Sequence, residues 1–78
     1  MLVKVITPEK ELFNKKAKSV NLPTLSGYIT ILPHHTELIS IIHKGQIKIE
    51  FEDETKTILS EGGIVEVFKN EVSLLLTK

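Results

Sequence analysis

The segment Gln46-Ile47-Lys48-Ile49-Glu50-Phe51-Glu52 decides the fold of this chain. Its apolar side chains, two isoleucines and Phe51, alternate with polar ones, so they share one face of an extended strand. One apolar and one polar face is typical of an antiparallel strand that covers a core on one side and meets water on the other. Asp53-Glu54 then predicts a turn, and residues 55–60 predict the returning strand of a hairpin.

Working outward from this hairpin, short apolar segments separated by Pro, Gly and Asn signals continue to both ends of the chain. They predict strands at residues 2–6, 64–68 and 72–77, and one extended region made of residues 11–13 and 16–22. Residues 37–43 fit either a helical or an extended period, and their β-branched side chains favour a strand. No segment shows the pattern of an amphipathic helix. The sequence therefore predicts one all-β domain over residues 1–78, a sandwich or flattened barrel.

Composition excludes several classes of function. The ten basic residues are all lysines and are balanced by ten acidic residues, which argues against nucleic-acid binding, since that needs a basic face. There is no cysteine, so neither a disulfide nor a cysteine-based zinc site can stabilise the chain. No apolar run approaches the roughly 20 residues that span a bilayer, and the N-terminus is too short for a signal peptide.

The stretch from Gly27 to Ile39 reads as a single connection with an unusual amount of apolar surface. Apolar side chains in a surface connection indicate that another protein packs against them, so this stretch predicts contact with a partner protein. The candidate contact residues are Gly27, Tyr28, Pro33, His34, His35, Leu38 and Ile39.

The sequence contains only weak indications of a metal, acid–base or phosphate-binding site. Adjacent histidines on a strand point to opposite faces, so His34 and His35 are poorly suited to one ion, and no HExxH spacing is present. Acidic residues at positions 50–54 are those of a solvated hairpin tip, and Gly62-Gly63 precedes a strand rather than the helix of a phosphate loop. Two alternatives stay open: a small metal-binding β-sandwich enzyme in which His34 or His35 converges with His43, and a generic β-sandwich binding module.

A family resemblance spans nearly the whole chain. It is carried, in order, by Val5-Ile6-Thr7-Pro8-Glu9, Phe13, Leu22-Pro23, Gly27, Ile31-Leu32-Pro33, His35, Leu38, Gly45-Gln46-Ile47-Lys48-Ile49 and Gly62-Gly63-Ile64-Val65-Glu66-Val67. In order and spacing these fragments resemble the N-terminal domain of the epsilon subunit of bacterial and chloroplast ATP synthase. Each fragment is weak alone, and their shared order makes the resemblance specific.

The resemblance implies an antiparallel, ten-stranded, flattened β-sandwich or barrel without catalytic residues, metal or cofactor. It implies a rotor subunit of the central stalk that links the gamma subunit to the membrane c-ring for proton- or sodium-driven ATP synthesis. Such a subunit lies on the cytoplasmic face of the inner (plasma) membrane, as a peripheral component. In this arrangement the apolar residues Leu38, Ile39, Ile41 and Ile42 suit gamma, and the loops at Gly27-Tyr28 and Pro33-His34-His35 suit the polar loops of the c-ring.

The chain also departs from the family pattern. Tyr28 stands where the family often has an acidic residue, and Thr36-Glu37 replaces an Ala-Pro pair. The resemblance further implies a short form without the C-terminal helical hairpin found in most epsilon subunits. The restraint of ATP hydrolysis and the nucleotide binding associated with that hairpin are therefore not expected here.

Overall fold

The computed structural model describes residues 1–78 and contains strands without any helix. The eight strands are β1 (Leu2–Ile6), β2 (Glu11–Thr24), β3 (Gly27–Ile31), β4 (Leu38–Ile42), β5 (Gly45–Phe51), β6 (Thr55–Ser60), β7 (Gly63–Phe68) and β8 (Glu71–Leu76). The all-β class is therefore confirmed, with eight strands instead of ten. No helix that could cross a membrane is present.

The strands form two layers that share β2. Hydrogen-bonded neighbours follow the order β1-β8-β7-β4-β2-β5-β6, while β3 pairs with β2 and β1 also pairs with β2. One layer is thus β3-β2-β5-β6, and the other is β2-β1-β8-β7-β4. The strand pairs are antiparallel as expected except for one, since β1 runs parallel to β8. These strands lie near the two ends of the chain, and the rest of the fold supplies the long crossover that a parallel pair needs.

Strand β2 is longer than the sequence predicted. Residues 11–13 and 16–22 were expected to form one extended region ending at Pro23, and β2 runs without a break from Glu11 to Thr24. Its first half pairs with β1, its second half pairs with β5 and β3, and the register shifts between Ala17 and Ser19. A shift of this kind bends and twists a strand, which carries β2 from one layer into the other.

The stretch from Gly27 to Ile39 is not a single connection, contrary to the sequence interpretation. Its first five residues form β3, which pairs with β2 through a hairpin closed by Thr24 and Gly27. Its last two residues begin β4, which pairs with β7. Only residues 32–37 connect the two strands.

Alternation places one hydrophobic core between the layers. The predicted apolar face of β5 is confirmed, since Ile47 and Ile49 are fully buried, and Leu74 of β8 is also fully buried. The core comprises Val3, Val5, Ala17, Val20, Leu22, Ile31, Ile42, Ile47, Ile49, Phe51, Val65, Val67, Val72, Leu74 and Leu76. At about 0.8 kcal/mol per buried CH₂, these aliphatic side chains dominate the favourable part of the folding free energy.

Two turns depend on special backbone conformations. The β7–β8 hairpin turns through Lys69 and Asn70, both with positive φ (49° and 61°), the pair of values that a type I′ turn requires. Gly62 has a φ of 129°, whereas Gly63 already belongs to β7. At Gly63 the reason for glycine is space, because a β-carbon there would collide with the carbonyl oxygen of Leu75.

Candidate partner-binding surfaces

The outer face of the β4-β7-β8-β1 layer carries a row of aliphatic side chains. Cross-strand register places Ile41 beside Ile64, Ile64 beside Leu75, and Leu75 beside Ile6. Ile41, Ile64 and Leu75 are about half exposed, and Ile6 is partly buried. We call these four residues the aliphatic row. Exposed apolar side chains that adjoin one another on a sheet mark a surface that another protein covers.

Strand alternation divides the residues that the sequence assigned to an apolar contact region. Ile39 is the most exposed large hydrophobic side chain (72%), and it lies on the same outer face as Ile41. Ile42 was assigned wrongly, because it is 1% exposed and belongs to the core. Leu38 is partly buried and packs against the core from the edge of β4. Of these four residues, Ile39 and Ile41 therefore offer a free surface.

The outer face of the β3-β2-β5-β6 layer is mainly polar, although Leu59 is exposed on β6. A shallow concavity of about 320 Å³ on this face is lined only by polar and charged residues, namely Ser19, Asn21, Thr30, Lys48, Glu50 and Thr55. Asn21 donates its side-chain amide to the hydroxyl of Thr30 (3.0 Å), and Ser19 donates to Glu50 (3.4 Å). These polar side chains form hydrogen bonds with one another and are compatible with exposure to water. The two outer faces of the sandwich therefore differ in chemistry.

Tyr28 is held in place by its own contacts. Its hydroxyl accepts the backbone N–H of Gln46 at 3.3 Å, so it joins the β2–β3 hairpin to the start of β5. The preceding Gly27 has a φ of 94°, and its carbonyl oxygen accepts the hydroxyl of Thr24 at 2.9 Å. The ring of Tyr28 nevertheless remains 58% exposed, so it offers a fixed aromatic surface beside an exposed turn.

Pro33, His34 and His35 form an exposed turn that is tied to the β7–β8 hairpin. His34 has a φ of 65°, and its backbone N–H donates to the side-chain oxygen of Asn70 at 2.8 Å. His35 donates its backbone N–H to Leu32 and its ring Nδ1–H to the carbonyl of Thr36 at 2.7 Å. The turn has a defined shape although its side chains face water.

The two loops assigned to one polar contact lie at opposite ends of β3. Gly27 begins this strand and Ile31 ends it, and each residue advances about 3.3 Å, so roughly 13 Å separates them. The Gly27-Tyr28 turn and the Pro33-His35 turn therefore do not form one compact patch. The edge of β3, which pairs only with β2, connects them.

The histidines do not assemble into a metal centre. His34 and His35 precede β4, whereas His43 follows it, so the length of this strand separates them. No group of three or more His, Asp or Glu side chains is placed to hold a metal ion. The convergence that the metal-enzyme alternative required is therefore not found.

An ion pair joins the acidic tip of the β5–β6 hairpin to the first half of β2. The Nζ of Lys15 lies 2.7 Å from Glu54 and 4.4 Å from the centre of the Phe51 ring, and Lys56 lies 3.4 Å from Glu54. The hydrogen bond from Lys15 lowers the pKa of Glu54, and the same bond raises the pKa of Lys15. Both groups stay charged at neutral pH, which is the behaviour of a structural ion pair and not of an acid–base couple.

Of the aliphatic row, only Ile41 was identified as a contact residue from the sequence. Ile6, Ile64 and Leu75 were placed in strands without being recognised as outward-facing contact residues. A signal existed, since Leu74-Leu75-Leu76 is apolar on both faces of its strand instead of alternating. Such a run indicates a strand covered on both sides.

Comparison with known proteins supports the sequence resemblance. The family model of the ATP synthase delta/epsilon chain, beta-sandwich domain, matches residues 1–78. The ATP synthase epsilon chain of Endomicrobium trichonymphae is 38% identical over 73 residues, which are 94% of this chain and 53% of that protein. The cyanelle epsilon chain of Cyanophora paradoxa is 42% identical over 74 residues, 95% of this chain and 56% of that one. The chain thus spans about half the length of these relatives.

Solved structures share the fold. A chain of the Tetrahymena thermophila mitochondrial ATP synthase central stalk/c-ring superposes with a TM-score of 0.88 at 22% identity, over 100% of this chain and 63% of that one. A chain of the Euglena gracilis mitochondrial ATP synthase, in a complex of OSCP, F1 and c-ring, gives 0.93 at 14% identity, over 100% and 51%. The match over residues 1–78 and the identities above 30% show the family: this chain belongs to the ATP synthase delta/epsilon chain beta-sandwich domain family.

Proposed function

We propose that residues 1–78 act as a non-catalytic rotor domain of a rotary ATP synthase, linking the gamma subunit to the membrane c-ring during proton- or sodium-driven ATP synthesis. The observation that carries this proposal is the unequal chemistry of the two outer faces, one aliphatic and one polar. A domain that works by holding neighbours needs a dry contact surface and a stiff interior, and a closely packed sandwich is stiff. Family membership supplies the assembly in which such contacts have a purpose.

The gamma subunit is the proposed occupant of the aliphatic face. Ile39 and the aliphatic row adjoin one another across four strands, so a partner can cover them in one contact. Leu38 contributes from beneath, because its packing against the core fixes the start of β4 and thereby the position of Ile39. Burial of apolar area at about 25 cal/mol per Å² supplies the driving force.

The c-ring loops are the proposed partners of Gly27, Tyr28, Pro33, His34 and His35. Because these residues flank β3 at both ends, the contact runs along the side of the sandwich that β3 borders. The exposed ring of Tyr28 takes the place of the family's acidic residue and stacks on a basic side chain of the ring loop, a cation–π contact of about 0.5–1 kcal/mol. The domain then sits peripherally at the cytoplasmic face of the plasma membrane, held there only through the complex.

Binding to the ATP synthase gamma subunit of the same organism tests the proposal. We expect the variant Ile39→Asp plus Ile64→Asp to lose binding in isothermal titration calorimetry, since it places two charges in the contact. The matched control, Ser19→Asp plus Thr57→Asp, puts the same charges on the polar layer and should bind like the unaltered protein. Thermal unfolding of each variant verifies its fold. Equal binding by both variants would show that the aliphatic face is not the contact surface.

A further inference from the structure

Glu66 is an uncompensated carboxylate in the middle of the aliphatic face. On its outer side, cross-strand register places Ile39 to one side of it and Ser73 to the other. Ile64 and Phe68, two residues away along β7, share this face and are each about half exposed. The carboxylate forms neither a hydrogen bond nor an ion pair, because every ion pair of the structure involves Glu54, Glu61 or Glu71.

Two lysines lie near Glu66, and neither forms an ion pair with it. Lys4 forms an ion pair with Glu71 at 3.2 Å, and the Nζ of Lys69 lies 5.4 Å from the centre of the Phe68 ring. Beside Glu66 the surface forms a concavity of about 300 Å³, lined by Glu66, Phe68, Lys69, Glu71 and Ser73. The face therefore combines an aliphatic row with an adjoining recess in which one negative charge has no partner.

A protein that covers this face removes water from Glu66. Burying a carboxylate is costly unless an opposite charge or several donors replace the lost water, so an entirely apolar partner surface would bind poorly. A basic side chain that enters the recess would pair with Glu66, while its methylene groups pack on the Phe68 ring. The face thus selects for one class of partner.

We propose that the covering protein brings aliphatic side chains over the aliphatic row and one lysine or arginine into the recess, where it pairs with Glu66. Glu66 is then the residue that determines specificity at this interface. The inference rests on the proposed function, since the occupant is the gamma subunit, and it adds the chemistry by which that subunit is recognised.

A second copy of this chain fits the face less well. It would bring another Glu66 into the same dry layer, where Lys4 is already paired with Glu71 and Lys69 lies over the Phe68 ring. Like charges that meet in an interface are repulsive and exclude the wrong partner. Charge complementarity therefore favours a different protein with a basic group.

Titration calorimetry of Glu66→Gln with the gamma subunit tests the inference. Glutamine keeps the size of the side chain and removes its charge, so we expect binding to weaken roughly tenfold to a hundredfold, as for the loss of a charge-assisted hydrogen bond. Raising the salt concentration should weaken the unaltered protein more than the variant. The control Glu50→Gln removes an outward carboxylate from the polar layer and should leave the affinity unchanged.

Charge reversal identifies the partner group. Glu66→Lys should bind still more weakly, and exchange of the contacting gamma lysine or arginine for glutamate should restore its binding. Unchanged affinity of both Glu66 variants, with binding lost in Ile64→Asp, would overturn this inference and leave the proposed function standing. No binding by the unaltered protein would overturn the proposed function itself. A dimer in sedimentation equilibrium that Ile64→Asp dissociates would instead make a second copy the occupant, which also overturns the inference.

Discussion

The hydroxyl of Tyr28 lies where a side chain on residue 45 would begin: an ideal β-carbon at Gly45 would stand 2.8 Å from it. The same carbon would lie 3.1 Å from the Pro23 ring, and the backbone at Gly45 has a φ of 154°. The close approach allows the Tyr28 hydroxyl to accept a hydrogen bond from the backbone N–H of Gln46. Tyr28 and Gly45 thus form one joint between the β2–β3 hairpin and β5.

We expect Gly45→Ala and Tyr28→Phe to be coupled. Gly45→Ala should lower the free energy of unfolding by about 1–2 kcal/mol, because the new methyl group displaces the Tyr28 hydroxyl and breaks its hydrogen bond. In the Tyr28→Phe background that hydroxyl is absent, so the same substitution should cost less. Urea unfolding of the four proteins in a double-mutant cycle measures the difference. Strict additivity would contradict a direct contact.

The two consecutive glycines should respond differently to alanine. At Gly63 a β-carbon meets the backbone of Leu75 and Leu76, which cannot move without breaking the β7–β8 ladder. We expect Gly63→Ala to cost at least about 3 kcal/mol, while Gly62→Ala should cost about 1 kcal/mol from its positive φ alone. Thermal unfolding monitored by circular dichroism compares them. A larger loss at Gly62 would refute the crowding described at Gly63.

The ion pair between Lys15 and Glu54 predicts a pH-dependent contribution to stability. The hydrogen bond lowers the folded-state pKa of Glu54, so its contribution is present above the unfolded pKa and is lost as pH falls through the folded one. It raises the pKa of Lys15, whose contribution is lost only as pH rises through that raised value. The difference in Tm between the unaltered protein and Glu54→Gln should therefore be largest between about pH 5 and pH 10.

This difference should shrink when the solution is acidified below about pH 4. The control Glu52→Gln alters a neighbouring carboxylate that forms no ion pair, and it should leave Tm unchanged over the same range. A Tm difference for Glu54→Gln that does not vary with pH would mean that the pair contributes nothing through its charge.

Leu38 and Ile39 are adjacent in sequence and should differ in their effect on stability. Leu38 packs against the core, so Leu38→Ala should cost about 1–2 kcal/mol. Ile39 is 72% exposed, and Ile39→Ala should stay within about 0.5 kcal/mol of the unaltered protein. Guanidinium unfolding measures both. Similar losses would indicate that Ile39 is not free on the outer face.

The sequence predicted the strands that have one apolar and one polar face. The prediction was incomplete for β2, which pairs with strands of both layers. The alternation of β5 was recognised because it depends on local chemistry alone. Strand β2 was predicted too short because its polar middle and Pro23 resemble breaks. Pro23 fits within β2 because the pairing with β5 ends at Asn21, so the ladder needs no donor from residue 23.

The contact surface was predicted in part for a similar reason. Ile39 and Ile41 belong to one strand, and their exposure follows from its alternation. Joining them to Ile64, Leu75 and the carboxylate of Glu66 requires the order and register of β4, β7 and β8. Pairing between distant segments is a property of the folded chain that no local pattern contains.

The path of β2 has a mechanical consequence. Its 14 residues belong first to one layer and then to the other, so covalent bonds, and not only side-chain packing, connect the two halves of the sandwich. A sideways pull applied to one outer surface must stretch this backbone before the layers can slide past each other. The continuous backbone of β2 therefore resists shear between the two layers.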